Sequence, residues 1–270
     1  AEFGYNEGSL PLLMNLAKLK AYYLDKPGEA IALLEDAKSL AGLPAARQAE
    51  IKLQLGDIYL FTGEVWEATL LYSQVDKAFK NDPVGHMAKL KNARLSFYIG
   101  EFDWARAQLD VLKAATSKLI ANDAMDLSLI ISDNQEDDTT QVALRVYAQA
   151  DLLLFRNKVD SAMALLNYLQ SAYTYHPIQD EVLMKQAEIQ MRLQDYPAAD
   201  SLYALVLERF GQDIYGDDAL YNRALLAEER FHDREAAMAF YEKLMFDYPG
   251  SLFVVDARKR FRKLRGDILN

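Results

Sequence analysis

The residue types best suited to catalysis are sparse in this chain. Its three histidines, His86, His176 and His232, lie far apart, and none stands in the His-Glu-x-x-His spacing that holds zinc on a helix. The sequence contains no Gly-x-Ser-x-Gly elbow, phosphate-binding loop or glycine-rich dinucleotide fingerprint. Because the chain has no cysteine, thiol catalysis, disulfides and cysteine-ligated zinc are excluded. We therefore predict a protein that is not an enzyme and uses no metal or cofactor.

Two charged segments invite a binding interpretation. The acidic run 133–138 lacks the spaced ligands, central glycine and terminal glutamate of a calcium loop, so we interpret it as a solvated loop. The basic run 258–265 suits the solvated face of a closing helix. Contact with an acidic partner or with anionic lipid remains open as a second interpretation. Nucleic-acid binding ranks last, because the net charge of the whole chain is −10.

Trp66 and Trp104 are the only two tryptophans. They stand two residues and one residue before Ala68 and Ala105, which makes them similarly placed along the chain. A stacking platform for sugars is one interpretation. Packing between neighbouring helices is the commoner fate of a large aromatic residue at a repeated position, and we predict packing.

Six alanines recur at nearly even steps of 38, 37, 57, 37 and 38 residues. Apolar or aromatic residues follow each of them four and seven positions later, as Tyr72 and Val75 follow Ala68. A small residue on one helical face, once per period, is typical of a solenoid of helix pairs. Turn signals such as Gly63 and Gly100 end the intervening helical blocks. The full set is Ala30, Ala68, Ala105, Ala162, Ala199 and Ala237.

The periodic residues resemble the tetratricopeptide repeat family. The best match is Leu55-Gly56, Tyr59, Gly63, Ala68 and Tyr72, and the resemblance covers about residues 12–250. It implies an all-α fold, a right-handed α-α superhelix of about six helix pairs. It also implies a protein-interaction function.

The one long step marks a departure from the plain array. We predict repeats in 1–112, a helical insertion with an acidic loop in 113–139, repeats in 140–253 and a capping helix in 254–270. Asn122 or Asp123 is expected to cap a short helix that begins near Ala124. We favour a structural role for the insertion over a projecting flap, because its aliphatic residues need burial.

In the tetratricopeptide family, the first helix of each pair lines a concave groove. By resemblance, one groove position reads Asp57, Arg94, Asp151 and Glu188 in successive repeats. Ion pairing between neighbouring helices and recognition of a peptide are both consistent with this charged ladder. Three carboxylates in four places disfavour the family's clamp for the carboxyl terminus of a chaperone. The candidate partner-binding residues are Asp57, Phe61, Arg94, Phe97, Tyr98, Tyr147, Asp151, Phe155, Glu188, Met191 and Arg192.

We predict a non-catalytic scaffold that binds a protein or peptide segment in this groove. The alternative is a cell-surface protein that binds a glycan or small ligand. Residues 246–251 and 256–258 resemble tetratricopeptide proteins of the bacterial envelope, which suggests a periplasmic or envelope-associated assembly, with a cytoplasmic location still open. No apolar run is long enough to span a membrane, so membrane contact is limited to a peripheral one through the basic helix.

Overall fold

The computed structural model describes residues 6–113, 118–135 and 140–267. Within these ranges the regular structure is helical, without a β-strand, and a short 3-10 helix, Glu7–Ser9, comes first. The α-helices of the described residues are α1 (Leu10–Tyr22), α2 (Pro27–Lys38), α3 (Ala45–Thr62), α4 (Val65–Ala78), α5 (Pro83–Tyr98), α6 (Phe102–Lys113), α7 (Lys118–Gln135), α8 (Val142–Phe155), α9 (Val159–Ala172), α10 (Gln179–Arg192), α11 (Tyr196–Phe210), α12 (Gly216–Glu229), α13 (Arg234–Asp247) and α14 (Val254–Arg265).

The periodic alanines lie in the helical cores of the two units. All six are fully buried, and they lie on α2, α4, α6, α9, α11 and α13. The residue four positions after each alanine is buried as well, for example Leu109 after Ala105. A methyl group at the crossing lets two helix backbones approach, and larger neighbours on the same face fill the space around it. The predicted all-α, tetratricopeptide-like solenoid of helix pairs is confirmed.

Left-handed residues make the turns between paired helices. Gly63, between α3 and α4, has a φ angle of 108°, and Gly100, between α5 and α6, has one of 80°. In two later turns the left-handed residues are Gln194 and His232, at 61° and 55°. These turns therefore accept side chains that the glycine signal does not predict.

Asp195 and Asp233, in those two later turns, cap the helices that follow them. The side chain of Asp195 accepts a hydrogen bond from the Ala198 backbone N–H at 3.2 Å, and Asp233 accepts one from Ala236 at 3.0 Å. Each aspartate thus caps the helix that follows, and its charge is favourable at the helix N-terminus.

The chain divides into two compact units, 1–158 and 159–270. In the first unit α1 packs with α2, α3 with α4, and α5 with α6. In the second unit α9 packs on α10, α10 pairs with α11, and α12 pairs with α13. Finally, α14 packs on α13 and buries Val254 and Ala257 against it.

The insertion folds as one long helix of the first unit. α7 packs against α6 and also contacts α5 and α8. Its buried residues Ile120, Ala124, Leu127 and Ile131 recur on one face. The expected cap at Asn122 or Asp123 is wrong, because both residues lie inside α7, which begins at Lys118. Of the acidic run, 133–135 belongs to α7, and residues 136–138 lie outside the described residues.

Arg260 ties the last three helices of the second unit together. Its guanidinium donates to Asp256 of α14 at 2.7 Å and to Glu228 of α12 at 3.0 Å. The Tyr241 hydroxyl of α13 donates to the same Glu228 at 2.7 Å. The Tyr221 hydroxyl of α12 donates to Asp256 at 2.6 Å. The closing helix is therefore held by charge-assisted hydrogen bonds as well as by apolar packing.

Gly56 of α3 lies directly against Tyr72 of α4. A Cβ atom at residue 56 would stand 2.4 Å from Tyr72 Cε1. The ring cannot swing aside, because Tyr72 is 1% exposed and its hydroxyl donates to Asp57 at 2.7 Å. Glycine at this position is therefore required by the close approach of two helices.

Replacing this glycine tests the approach of α3 and α4. We expect Gly56→Ala to lower the free energy of unfolding by about 1–3 kcal/mol through overpacking. Gly28→Ala in α2 is the matched control, because a Cβ there meets no atom within 4 Å. It should leave stability unchanged or raise it by about 0.5–1 kcal/mol. Urea unfolding followed by circular dichroism measures both, and equal effects of the two variants would contradict the packing argument.

Acid should release part of the stability of the closing helix. The hydrogen bond from Tyr221, together with the Arg260 guanidinium, holds the pKa of Asp256 below its usual range. A lowered folded-state pKa stabilises the fold above the unfolded-state pKa, and this contribution disappears as pH falls through the folded value. The urea midpoints of wild type and Asp256→Asn should differ at pH 7 and converge below about pH 4. Asp213→Asn, at an exposed turn, should match wild type throughout, and a pH-independent effect of Asp256→Asn would refute the linkage.

Candidate partner-binding groove

A cavity of about 110 Å³ opens among five helices of the first unit. Helices α3 and α5 supply most of its lining, and α4, α7 and α8 complete it. The lining residues are Asp57, Leu60, Tyr72, Met87, Leu90, Lys91, Arg94, Tyr98, Asp123 and Phe155. Four of the predicted groove residues thus meet at one place, namely Asp57, Arg94, Tyr98 and Phe155.

Asp57 is the anchored anion of this cavity. Lys91 Nζ lies 2.8 Å from its Oδ1 and 3.0 Å from its Oδ2, and the Tyr72 hydroxyl donates to Oδ1 at 2.7 Å. Burial and the Asp57 charge both raise the pKa of Tyr72 well above its usual value, so the hydroxyl stays a donor. An ion pair therefore joins α3 to α5, with Lys91 as the cation.

Arg94 is the cation of the predicted charged ladder, and its guanidinium has no counter-ion among the described residues. It is exposed and makes no ion pair with any of the described residues. It lines the same cavity as Lys91, whose charge Asp57 already neutralises. Asp123 of α7 adds a second carboxylate to the lining. The cavity therefore offers a ligand one uncommitted guanidinium beside an internally balanced pair.

The wall of the cavity is apolar and aromatic. Leu60 and Leu90 are 4% and 5% exposed, and the rings of Tyr98 and Phe155 lie with their centroids 6.4 Å apart. Phe97 is fully buried, and the centroid of its ring lies 6.5 Å from that of Tyr147, which is 3% exposed.

The remaining candidates lie outside this cavity. Phe97 and Tyr147 are core residues and offer a partner almost no surface. Phe61 packs edge-on against Tyr22, with centroids 4.9 Å apart. Asp151 is half-buried on α8. On α10 of the second unit, the Glu188 carboxylate pairs with Lys185 of the same helix at 2.8 Å.

Of the other two candidates on α10, Met191 is half-buried and Arg192 is exposed. Neither lines the cavity. The assignment of the whole set as a partner-binding surface stays a prediction.

Helix α8 is anchored over the ends of earlier helices of its own unit. Just after α8, Arg156 Nε donates to the Leu60 carbonyl near the end of α3 at 3.1 Å. The side chain of Asn157 donates to the carbonyl of Tyr22, the last residue of α1, at 3.4 Å. At the other end of α8, the Arg145 guanidinium lies 5.6 Å from the centre of the Phe102 ring. Donors at helix C-termini satisfy carbonyls that have no partner within their helix, and a cation there suits the dipole.

Sequence reasoning missed two charged residues of the cavity. Lys91 precedes Arg94 by three residues and therefore shares its helical face, a spacing that could have found it. Asp123 lies in the insertion, where the period of 37 gives no register, and no signal in the sequence could have placed it. Among the described residues, no group of three or more His, Cys, Asp or Glu side chains could hold a metal ion.

The tryptophan prediction is wrong. Trp66 is 79% exposed and Trp104 is 63% exposed, so neither packs between helices. One helical residue turns the side chain by about 100°, so positions one and two before a buried alanine point well away from its face. Both tryptophans lie just before a buried alanine, but each stands on an exposed face of its helix.

Comparison with known proteins finds similarity among solved structures. No protein-family model matches the chain, and no curated protein matches it significantly. Among solved structures, the chain is similar to a tetratricopeptide repeat protein from Parabacteroides merdae ATCC 43184. This likeness covers 96% of this chain and 99% of that one, at 14% identity and a TM-score of 0.40. No helix in the described ranges is both long and apolar enough to cross a membrane.

The contact of Arg156 with the end of α3 is testable. We expect Arg156→Ala to lower the free energy of unfolding by about 1–2 kcal/mol, because it removes a charged donor from a helix C-terminus. Lys158→Ala removes the same charge two residues later, from an exposed position, and should cost less than about 0.5 kcal/mol. Urea midpoints compare the two, and an equally mild Arg156→Ala would show that the hydrogen bond contributes nothing.

Proposed function

We propose that this chain is a non-catalytic protein-interaction scaffold, and that a partner segment inserts one side chain into the cavity of the first unit. The observation that carries the proposal is the convergence of Asp57, Arg94, Tyr98 and Phe155, predicted as groove residues, on one cavity. Repeat scaffolds of stacked helices commonly use such surfaces to hold extended or helical segments.

The size of the cavity favours a side chain over a free ligand. Sites for small molecules and cofactors usually enclose about 300–1,000 Å³. The 110 Å³ available here is well below that range and matches one apolar side chain. The alternative of a small ligand held in the groove is correspondingly disfavoured.

The chemistry of the lining defines the inserted residue and its neighbour. Leu60, Leu90 and Tyr98 supply an apolar wall for a leucine-like or aromatic side chain. Arg94 stands at the same cavity without an ion pair to the described residues, so an acidic residue next to the anchor gains a charge-assisted hydrogen bond. We therefore propose a segment in which an apolar residue and an aspartate or glutamate are adjacent.

Glycan binding is a second candidate function, and one observation favours it. The indoles of Trp66 and Trp104 are exposed, as a stacking platform requires. The bacterial envelope location is likewise a proposal, and it rests on the resemblance of residues 246–251 and 256–258 alone.

Selection from a phage-displayed library of dodecapeptides tests the groove without a known partner. Wild type should enrich peptides with an apolar residue beside Asp or Glu. Arg94→Glu should replace that acidic preference with Lys or Arg, because the charge at the cavity is reversed. Arg234→Glu, an equal charge change at an exposed site of the second unit, should select the wild-type motif. Identical motifs from wild type and Arg94→Glu would remove the cavity from the proposal.

A further inference from the structure

Two exposed indoles lie on the outer helices of the first unit. Trp66 is 79% exposed on α4, and Trp104 is 63% exposed on α6. On the same helices Leu70 and Val111 are 59% and 55% exposed. They follow the tryptophans by four and seven residues, so each tryptophan shares one face of its helix with a second exposed apolar residue. We call these four residues the Trp66–Trp104 surface.

The two halves of this surface belong to successive helix pairs. Each tryptophan lies in the first turn of its helix, just after the left-handed turn at Gly63 or Gly100. The buried alanines Ala68 and Ala105 fix both helices in the same register, and both helices pack against α5 between them. Trp66 stands two residues before Ala68 and Trp104 one residue before Ala105, so the two indoles differ by about 100° in rotation about helices one repeat apart. Neither indole lines the groove cavity.

The charges around the indoles are predominantly negative. Glu64 and Glu67 flank Trp66, and Glu101 and Asp103 flank Trp104. All four side chains are exposed, and none forms an ion pair with a described residue. The nearby hydrogen bonds are to neutral groups, such as the one that Gln135 donates to Asp103 at 3.3 Å.

A cation also stands near Trp104. Arg106 follows Trp104 by two residues, and its guanidinium donates to the Gln135 amide oxygen at 3.4 Å. The four carboxylates outnumber this one guanidinium, so the net charge of these five side chains is negative. An ammonium or guanidinium placed over an indole face and beside a carboxylate gains from both, and tryptophan is the strongest aromatic partner for a cation.

We propose that the Trp66–Trp104 surface binds a lysine- or arginine-rich segment of a partner protein. The indoles receive the cationic heads and the aliphatic stems, and the carboxylates of the two first turns neutralise the charge. The net charge of −10 draws such a segment toward the protein from a distance. A neutral sugar would gain the stacking but not the charge contact, so the surroundings favour the cationic segment. This site is separate from the groove cavity and stands or falls independently of it.

Intrinsic fluorescence reports this surface directly, because the chain has only these two tryptophans. Octalysine is the probe, at about 150 mM salt so that weak nonspecific attraction is screened. We expect a saturable change in tryptophan emission with octalysine and none with a Gly-Ser octapeptide. Cellohexaose serves as the neutral sugar in a parallel titration.

Matched variants separate this surface from general acidity. By anisotropy of labelled octalysine, Trp66→Ala/Trp104→Ala should bind about tenfold more weakly than wild type, although its net charge is unchanged. Glu67→Gln/Glu101→Gln should also bind more weakly. Glu235→Gln/Glu242→Gln, with the same charge change on α13, should bind like wild type. Far-UV circular dichroism verifies that the exposed substitutions leave the fold intact.

Three results would overturn the proposal. The first is octalysine binding by Trp66→Ala/Trp104→Ala as tight as that of wild type. The second is a saturable emission change with cellohexaose and none with octalysine, which would identify a glycan surface. The third is tryptophan-dependent self-association in sedimentation velocity without added peptide, which would identify a second copy of the chain as the occupant.

Discussion

The close approach of paired helices at a buried alanine is the constraint on which the other features depend. A methyl group at each crossing lets the backbones come together, and the larger residues four positions later then close the core. At Gly56 the two helices come closer still, because not even a Cβ atom fits there beside Tyr72. With the helices fixed at this spacing, Asp57 of α3 and Lys91 of α5 come within hydrogen-bonding distance, and the cavity beside them takes its shape.

What could be predicted from the sequence follows from this constraint. A residue such as Ala105 must be small in every repeat, so it recurs visibly and gives the register of the whole array. From that register Asp57, Arg94, Tyr98 and Phe155 could be placed on a common surface. The period of 37 residues is interrupted by the insertion, so it gave no register for α7. The position of Asp123 at the cavity could therefore not be predicted. The tryptophans failed for a different reason, since adjacent positions on a helix face different surroundings.

The first unit has two chemically distinct surfaces. The cavity is small and largely apolar, and Arg94 is its uncommitted charge. The outer helices instead carry exposed indoles among carboxylates. Together, the two proposals give the first unit an acidic segment at the cavity and a basic segment on the outer helices, and the two segments use different contacts. The basic face of α14 adds a third surface on the second unit, where the charge of Arg260 is already neutralised by its neighbours.

The hydrogen bonds that follow α8 change what kind of repeat protein the first unit is. In a plain solenoid each repeat contacts only its neighbours, so repeats can be removed from an end and the remainder keeps its fold. Arg156 and Asn157 instead reach across 96 and 135 residues of sequence to the ends of α3 and α1. Contacts of such separation raise the contact order and slow folding, because the loop must close before they form. They also make the folding of α1 depend on residues that follow α8, so the unit gains cooperativity and loses the modularity of its repeats.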